Sequence, residues 1–124
     1  MTKLTKLKSE HTAKGTKLTN LKSRVFKLAI GTELEPKYCF DTNKPKDLTK
    51  ELHNFIKETV YKGLTITEVD NLFLRKKGPV KEMKNNIEIL HYGKDRKQFR
   101  IHGFYDDKGY FNILRLDLNH KYHK

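Results

Sequence analysis

Apolar positions recur with two different periods along the chain, and the alternation between them predicts its elements. A strand is expected over residues 24–30 and another over 37–41, with a turn from Gly31 to Pro36 between them. Leu48, Leu52, Phe55, Ile56 and Val60 then form one stripe at helical spacing. They predict a helix over residues 46–61, with Asn43 as its N-cap, Pro45 in its first turn and Gly63 as its stop. Thr65 and Glu68 have the spacing of a capping box. Ile66, Val69, Leu72 and Phe73 continue a second amphipathic helix to about Lys76, ended by Gly78-Pro79, with one further turn over 80–85. Period two returns at 87–92, and residues 93–97 lead into a hairpin: 98–105 outward, a turn at Asp106 to Gly109, and 110–118 back.

This order predicts an α+β fold, with two helices packed on one face of a small antiparallel sheet that ends in a three-stranded meander. The opposite face is expected to stay open. The core is expected to contain Leu52, Phe55, Ile56, Leu72, Phe73, Ile101, Leu114 and Leu116. Pairing Tyr105 with Tyr110 puts Arg100 opposite Arg115 and His102 opposite Ile113, while Phe99, Ile101, Leu114 and Leu116 share the other face. Two arginines facing each other repel, and an anion between them would remove the conflict. Lys94, Arg96 and Lys97 in the preceding loop and Lys121 in the tail extend this basic patch. Tyr92, Phe104, Phe111 and Tyr122 are near enough in sequence to stack on bases; the competing reading has Phe104 and Phe111 packing across the strands.

Composition sharpens the choice of partner. The chain is 124 residues long, with 35% hydrophobic and 34% charged residues and a net charge of +12. That charge points to a polyanion, nucleic acid first and an acidic protein second. Eight basic residues and one acid fall in the first 27 positions. Residues 1–23 therefore read as a basic arm (Lys3, Lys6, Lys8, Lys14, Lys17, Lys22), with Arg24 opening a single α+β domain over 24–124. Thr2 to Ser9 returns almost unchanged as Thr16 to Ser23, a period of fourteen that places leucines at heptad positions, though His11, Lys14 and Gly15 interrupt it. Cys39 is the one cysteine, so no internal disulfide is expected, and a reducing, cytoplasmic setting fits. No run of about 18 apolar residues or secretory h-region occurs, so no membrane partner is expected.

Six histidines bring in chemistry. His120 and His123 have HxxH spacing that His91 or His102 would complete as a metal site. There is no second cysteine and no carboxylate at ligand spacing, so neither metal nor cofactor is expected. Imidazoles titrate near neutrality and suit proton transfer at a phosphodiester that the arginines hold.

The stretches 99–107, 111–117 and 119–123, on this order of elements, resemble the RelE/YoeB-type toxins of bacterial toxin–antitoxin pairs over residues 24–124. The resemblance implies a small basic endoribonuclease that cuts messenger RNA, often on the ribosome, and an acidic antitoxin as partner. It implies Arg100 as the central-strand arginine, His120, Tyr122 and His123 as the terminal catalytic cluster, and Glu88 as a base. The rival expectation is a phage or mobile-element protein that binds and blocks a host nucleic-acid or protein complex without catalysis.

Overall fold

The computed structural model of the protein describes residues 22–74 and 82–122. Strand β1 (Lys27–Ala29) leads to helices α1 (Pro45–Glu58) and α2 (Ile66–Phe73). Strands β2 (Glu82–Lys84), β3 (Ile87–Tyr92), β4 (Arg100–Tyr105) and β5 (Tyr110–Asp117) follow. They form one sheet in the order β1-β5-β4-β3-β2. The class is α+β, but the sheet is mixed rather than antiparallel, because β1 runs parallel to β5. Hairpins fix the antiparallel sense of the last four strands. Two helices separate β1 from them, so no tight turn constrains its direction.

Local chemistry explains most element ends. Pro45 takes the first helical position of α1, which makes Lys44 rather than Asn43 the N-cap, and no side chain caps it. The α2 capping box forms as its spacing predicts, with Thr65 and Glu68 bonding reciprocally. Gly63 takes a positive φ of 63° between the helices. The expected strand at 37–41 is absent: the chain turns and bends there, and Pro36 has no N–H to offer a ladder. Its neighbours still reach the edge of β5, where Glu35 N–H donates to the Leu114 carbonyl and the Tyr38 carbonyl accepts from Leu116 N–H. Residues 82–84 form a strand rather than a helical turn. Asn85 and Asn86, with φ of 53° and 65°, connect it to β3 as a two-residue hairpin turn.

One face of the sheet carries the core. Phe26 is fully buried and meets the rings of Phe55, Tyr92, Tyr105 and Phe111 at 5.9–6.5 Å. Leu48 and Phe55 of α1 and Ile66, Val69 and Phe73 of α2 pack with Ile101, Ile113 and Leu116 of the sheet in the same cluster. Of the expected core, Leu72 is instead 58% exposed. Leu114 is only half-buried, because it is the extra residue of a β-bulge.

That bulge revises the hairpin register. Tyr105 pairs with Phe111, one step from the expected partner, and the bulge adds a second step between His102 and Gly103. His102 therefore lies opposite Arg115, and Arg100 opposite Asp117. Two one-residue slips restore parity, so Arg100, His102 and Arg115 share a face even though the two arginines are not partners. Gly103 admits the bulge: a Cβ there would stand 2.1 Å from the Asn112 carbonyl oxygen.

Truncation of Phe26 to Ala should cost about 3–5 kcal/mol in urea unfolding, because it removes the ring on which four others pack. A change near zero would show that β1 does not close over the helices.

Candidate functional site

The face away from the helices was expected to lie open. Around Arg115 it is instead covered, by the segment after β1, by β2 and by the C-terminal turn. Alternation along the strands places Ile89 and His91 of β3, His102 of β4 and Arg115 of β5 on this face, and the β2–β3 pairing adds Glu82 opposite Ile89.

Arg115 is the centre. Its residue is 1% exposed. Nη1 and Nη2 donate to the two carboxylate oxygens of Glu82 at 2.9 and 2.6 Å, a bidentate pair. Nε lies 2.9 Å from Glu35 Oε2 as an ion pair without hydrogen-bond geometry. Glu35 also meets Lys84 Nζ at 3.4 Å. The Tyr122 ring lies over the guanidinium, 3.8 Å from its carbon, and the phenol donates to Glu82 Oε2 at 3.2 Å.

Two imidazoles complete the cluster. His91 and His102 stack with centroids 3.7 Å apart and planes 11° from parallel. Arg115 Nη1 contacts His102 Nδ1 at 3.0 Å. A guanidinium only donates, so Nδ1 accepts, and His102 is the neutral tautomer with its proton on Nε2. His91 Nε2 lies 2.7 Å from Glu82 Oε1. Glu82 is ionised, so this nitrogen carries the proton.

The charges set one another's titration. Hydrogen bonds from Arg115 hold Glu82 down to about 2, against the burial that would raise it, and His91 adds to the effect. Burial pushes Glu35 up, but Arg115 and Lys84 outweigh it and leave the carboxyl below its ordinary value. Burial likewise works against the charge of Arg115, yet Glu82 and Glu35 raise it above the usual guanidinium value. Tyr122 is raised, chiefly by burial.

The C-terminal turn is fastened here by Asp117, whose carboxylate accepts from the backbone N–H groups of Lys121 and Tyr122, both at 2.9 Å. Tyr38 meets the Tyr122 ring edge-on at 5.5 Å.

The sequence-predicted residues separate into groups. His102, Arg115 and Tyr122 are in the cluster. Arg115 is nevertheless withdrawn from the expected phosphate-facing set, since two carboxylates and a phenol ring occupy its surroundings. Glu88 is on the other face by alternation and is exposed; Glu82 is the carboxylate at the cluster. Arg100 shares the face, but its guanidinium folds back on the carbonyls of Lys97 and Phe99, and burial lowers its pKa against the pull of Asp95 and Asp117. His120 sits in the turn with φ 56°, and Lys121 is exposed beside it. Lys94 pairs with Glu58 at 2.7 Å, and Arg96 and Lys97 are exposed in the β3–β4 loop. Lys22 pairs with Asp70 at 3.4 Å, and Arg24 donates to the Lys108 carbonyl. His123, Lys3, Lys6, Lys8, Lys14 and Lys17 lie outside the described residues.

Glu82 and Glu35 did not emerge from sequence reasoning. The Asn85-Asn86 turn was the available signal for Glu82, because it makes 82–84 a strand paired with β3. Glu35 reaches the cluster through a long loop with no local signature. Among the described residues no group of three or more His, Cys, Asp or Glu is placed to hold a metal ion, and no helix is long and apolar enough to cross a membrane. The described residues are also close to electroneutral, with 17 Lys and Arg against 14 Asp and Glu. Most of the +12 thus belongs to the flanking and linking segments. No protein-family model, curated protein or solved structure matches the chain.

Glu82 ties pH to stability. Its folded value lies below the ordinary carboxyl value of 4.5, so its contribution is full above that value and fades as pH falls toward 2. Glu82→Gln should remove on the order of 3 kcal/mol at neutral pH. It should also flatten the acid limb of stability measured by urea unfolding from pH 7 down to 3. An unchanged acid limb would mean that Glu82 is not the anion that Arg115 needs.

Proposed function

We propose that the protein binds RNA and cleaves it without a metal, as an mRNA-interferase-like endoribonuclease in keeping with its RelE/YoeB-type resemblance. The observation that carries this reading is the cluster on one sheet face: two stacked imidazoles, one held by a carboxylate and the other by a guanidinium, with a phenol against them. These are the groups that RNA transesterification needs. The ribose 2′-oxygen attacks the adjacent phosphorus, so that a 2′-oxygen–phosphorus bond forms and the phosphorus–5′-oxygen bond breaks. The 2′-hydroxyl proton passes to an imidazole nitrogen, and the imidazolium so formed delivers it to the departing 5′-oxygen; His91, whose Nε2 proton Glu82 holds, is assigned this shuttle. Arg115, whose guanidinium is held by Glu82 and Glu35, orients His102 rather than the phosphate. Glu82, ionised at neutral pH, orients His91 rather than acting as base. Substrate reaches these groups when the turn at 118–122 lifts from Asp117 and carries Tyr122 off the guanidinium. The net charge of +12 supplies general affinity for RNA, free or ribosomal, and for an acidic antitoxin.

The burial and internal pairing of the same cluster favour a second reading. In it, the ion pairs only fasten β2 and the C-terminal turn to the sheet, and the protein is a non-enzymatic module that blocks a host nucleic-acid or protein complex.

Incubation with labelled RNA, with and without ribosomes and in EDTA, separates the two. A nuclease should give discrete products ending in 2′,3′-cyclic phosphate, insensitive to EDTA. His102→Gln and His91→Gln should slow it by about 10²-fold or more while RNA is still bound. RNA that binds but stays intact under every condition would leave the blocking module as the function.

A further inference from the structure

Beside the C-terminal turn, and separate from the histidine cluster, lies an open groove of ≈ 290 Å³ between the first turns of α1, the β3–β4 loop and the residues after β5. Lys50 of α1 and Arg96 and Lys97 of the loop line it, together with Asp47, Glu51 and Asn119. Some cations elsewhere are drawn into ion pairs, Lys22 with Asp70, Lys84 with Glu35 and Lys94 with Glu58, and others stand singly on the surface. Among the described residues, no such pair engages Lys50, Arg96 or Lys97, and all three are exposed. Three uncommitted cations around one concavity form a site for an anion. Asp47 and Glu51 argue against a simple polyphosphate, because they repel it. Carboxylates at hydrogen-bond range of a sugar accept from hydroxyls, however, and a ribonucleotide offers a phosphate and a 2′-hydroxyl together. The groove is comparable in volume to one nucleotide unit.

Position ties the groove to the cluster. Asn119 lines it, and three residues later Tyr122 covers Arg115. A strand seated in the groove would touch the same turn whose lifting opens the cluster.

We propose that this groove holds one nucleotide of single-stranded RNA, its phosphate on Lys50, Arg96 and Lys97 and its 2′-hydroxyl on Glu51 or Asp47. The groove thereby anchors substrate for the cleavage reading above, on which its role as an anchor rests. It supplies the preference for RNA over DNA, which phosphate recognition alone does not give.

The test is binding of a short labelled single-stranded RNA, and of the DNA of the same sequence, to the full chain across a salt series. Arg96→Ala/Lys97→Ala and Lys50→Ala should weaken RNA binding and reduce the slope of log affinity on log salt by about 0.7 for each phosphate no longer neutralised. Lys62→Ala, an exposed lysine outside the groove, is the charge control, and thermal melts confirm that each variant folds. Glu51→Gln and Asp47→Asn together should narrow the RNA-to-DNA affinity ratio several-fold while the salt slope holds. Groove variants that lose no more affinity than Lys62→Ala would overturn the site. An RNA-to-DNA ratio unmoved by the carboxylate variants would overturn the ribose assignment. Groove variants that lose RNA binding in a protein that never cuts RNA would sustain the groove and sink the cleavage reading.

Discussion

A single buried guanidinium organises the half of the molecule that the helices do not cover. Stripping water from a charge is costly, and the cost is offset by close pairing with opposite charge and hydrogen bonds to well-placed acceptors. Arg115 has no such acceptors on its own strand pair beyond His102. It draws one carboxylate from β2, more than thirty residues earlier in the chain, and another from the loop that follows β1. The Tyr122 ring closes the remaining side. A three-residue edge strand, an irregular loop and a terminal turn are thereby tied to the sheet, alongside the apolar contacts that Leu34 and Leu118 make with the core. Stability alone does not call for this arrangement, since apolar residues of similar volume fasten such segments without a desolvation penalty.

The opposite face works by different means. Its aromatic rings meet mostly edge-on around Phe26, and its few polar atoms are paired internally. The Tyr92 hydroxyl bonds both Asp70 and the Tyr105 hydroxyl, which satisfies a phenol at the boundary between α2 and the sheet. Burial raises both phenols and keeps them neutral.

Features set by neighbours in sequence were legible. The α2 capping box needs only residues three apart, and both helices and the strands from Ile87 onward follow from their periods. Pro45 also carried a local signal, and it shifts the cap by one residue from Asn43. What escaped depends on pairing between distant positions. The parallel sense of β1 is invisible in a strand that has no hairpin. Alternation gave the correct face for His102 and Arg115, but the ladder partners depended on a bulge whose one local hint is Gly103. Covering of the polar face was equally hidden, because the segments that cover it come from residues 31–40 and 82–84, neither of which carries a strong periodic signal.

The bulge in the β4–β5 hairpin constrains how this sequence can change in length. Loss or gain of one residue in that hairpin would leave each strand intact, yet it would turn Arg115 toward the aromatic core and an apolar neighbour toward Glu82. Changes of two residues preserve the faces. Natural variation in this hairpin is therefore expected to come in even steps. The alternation of a β-strand thus acts on this protein as a reading frame.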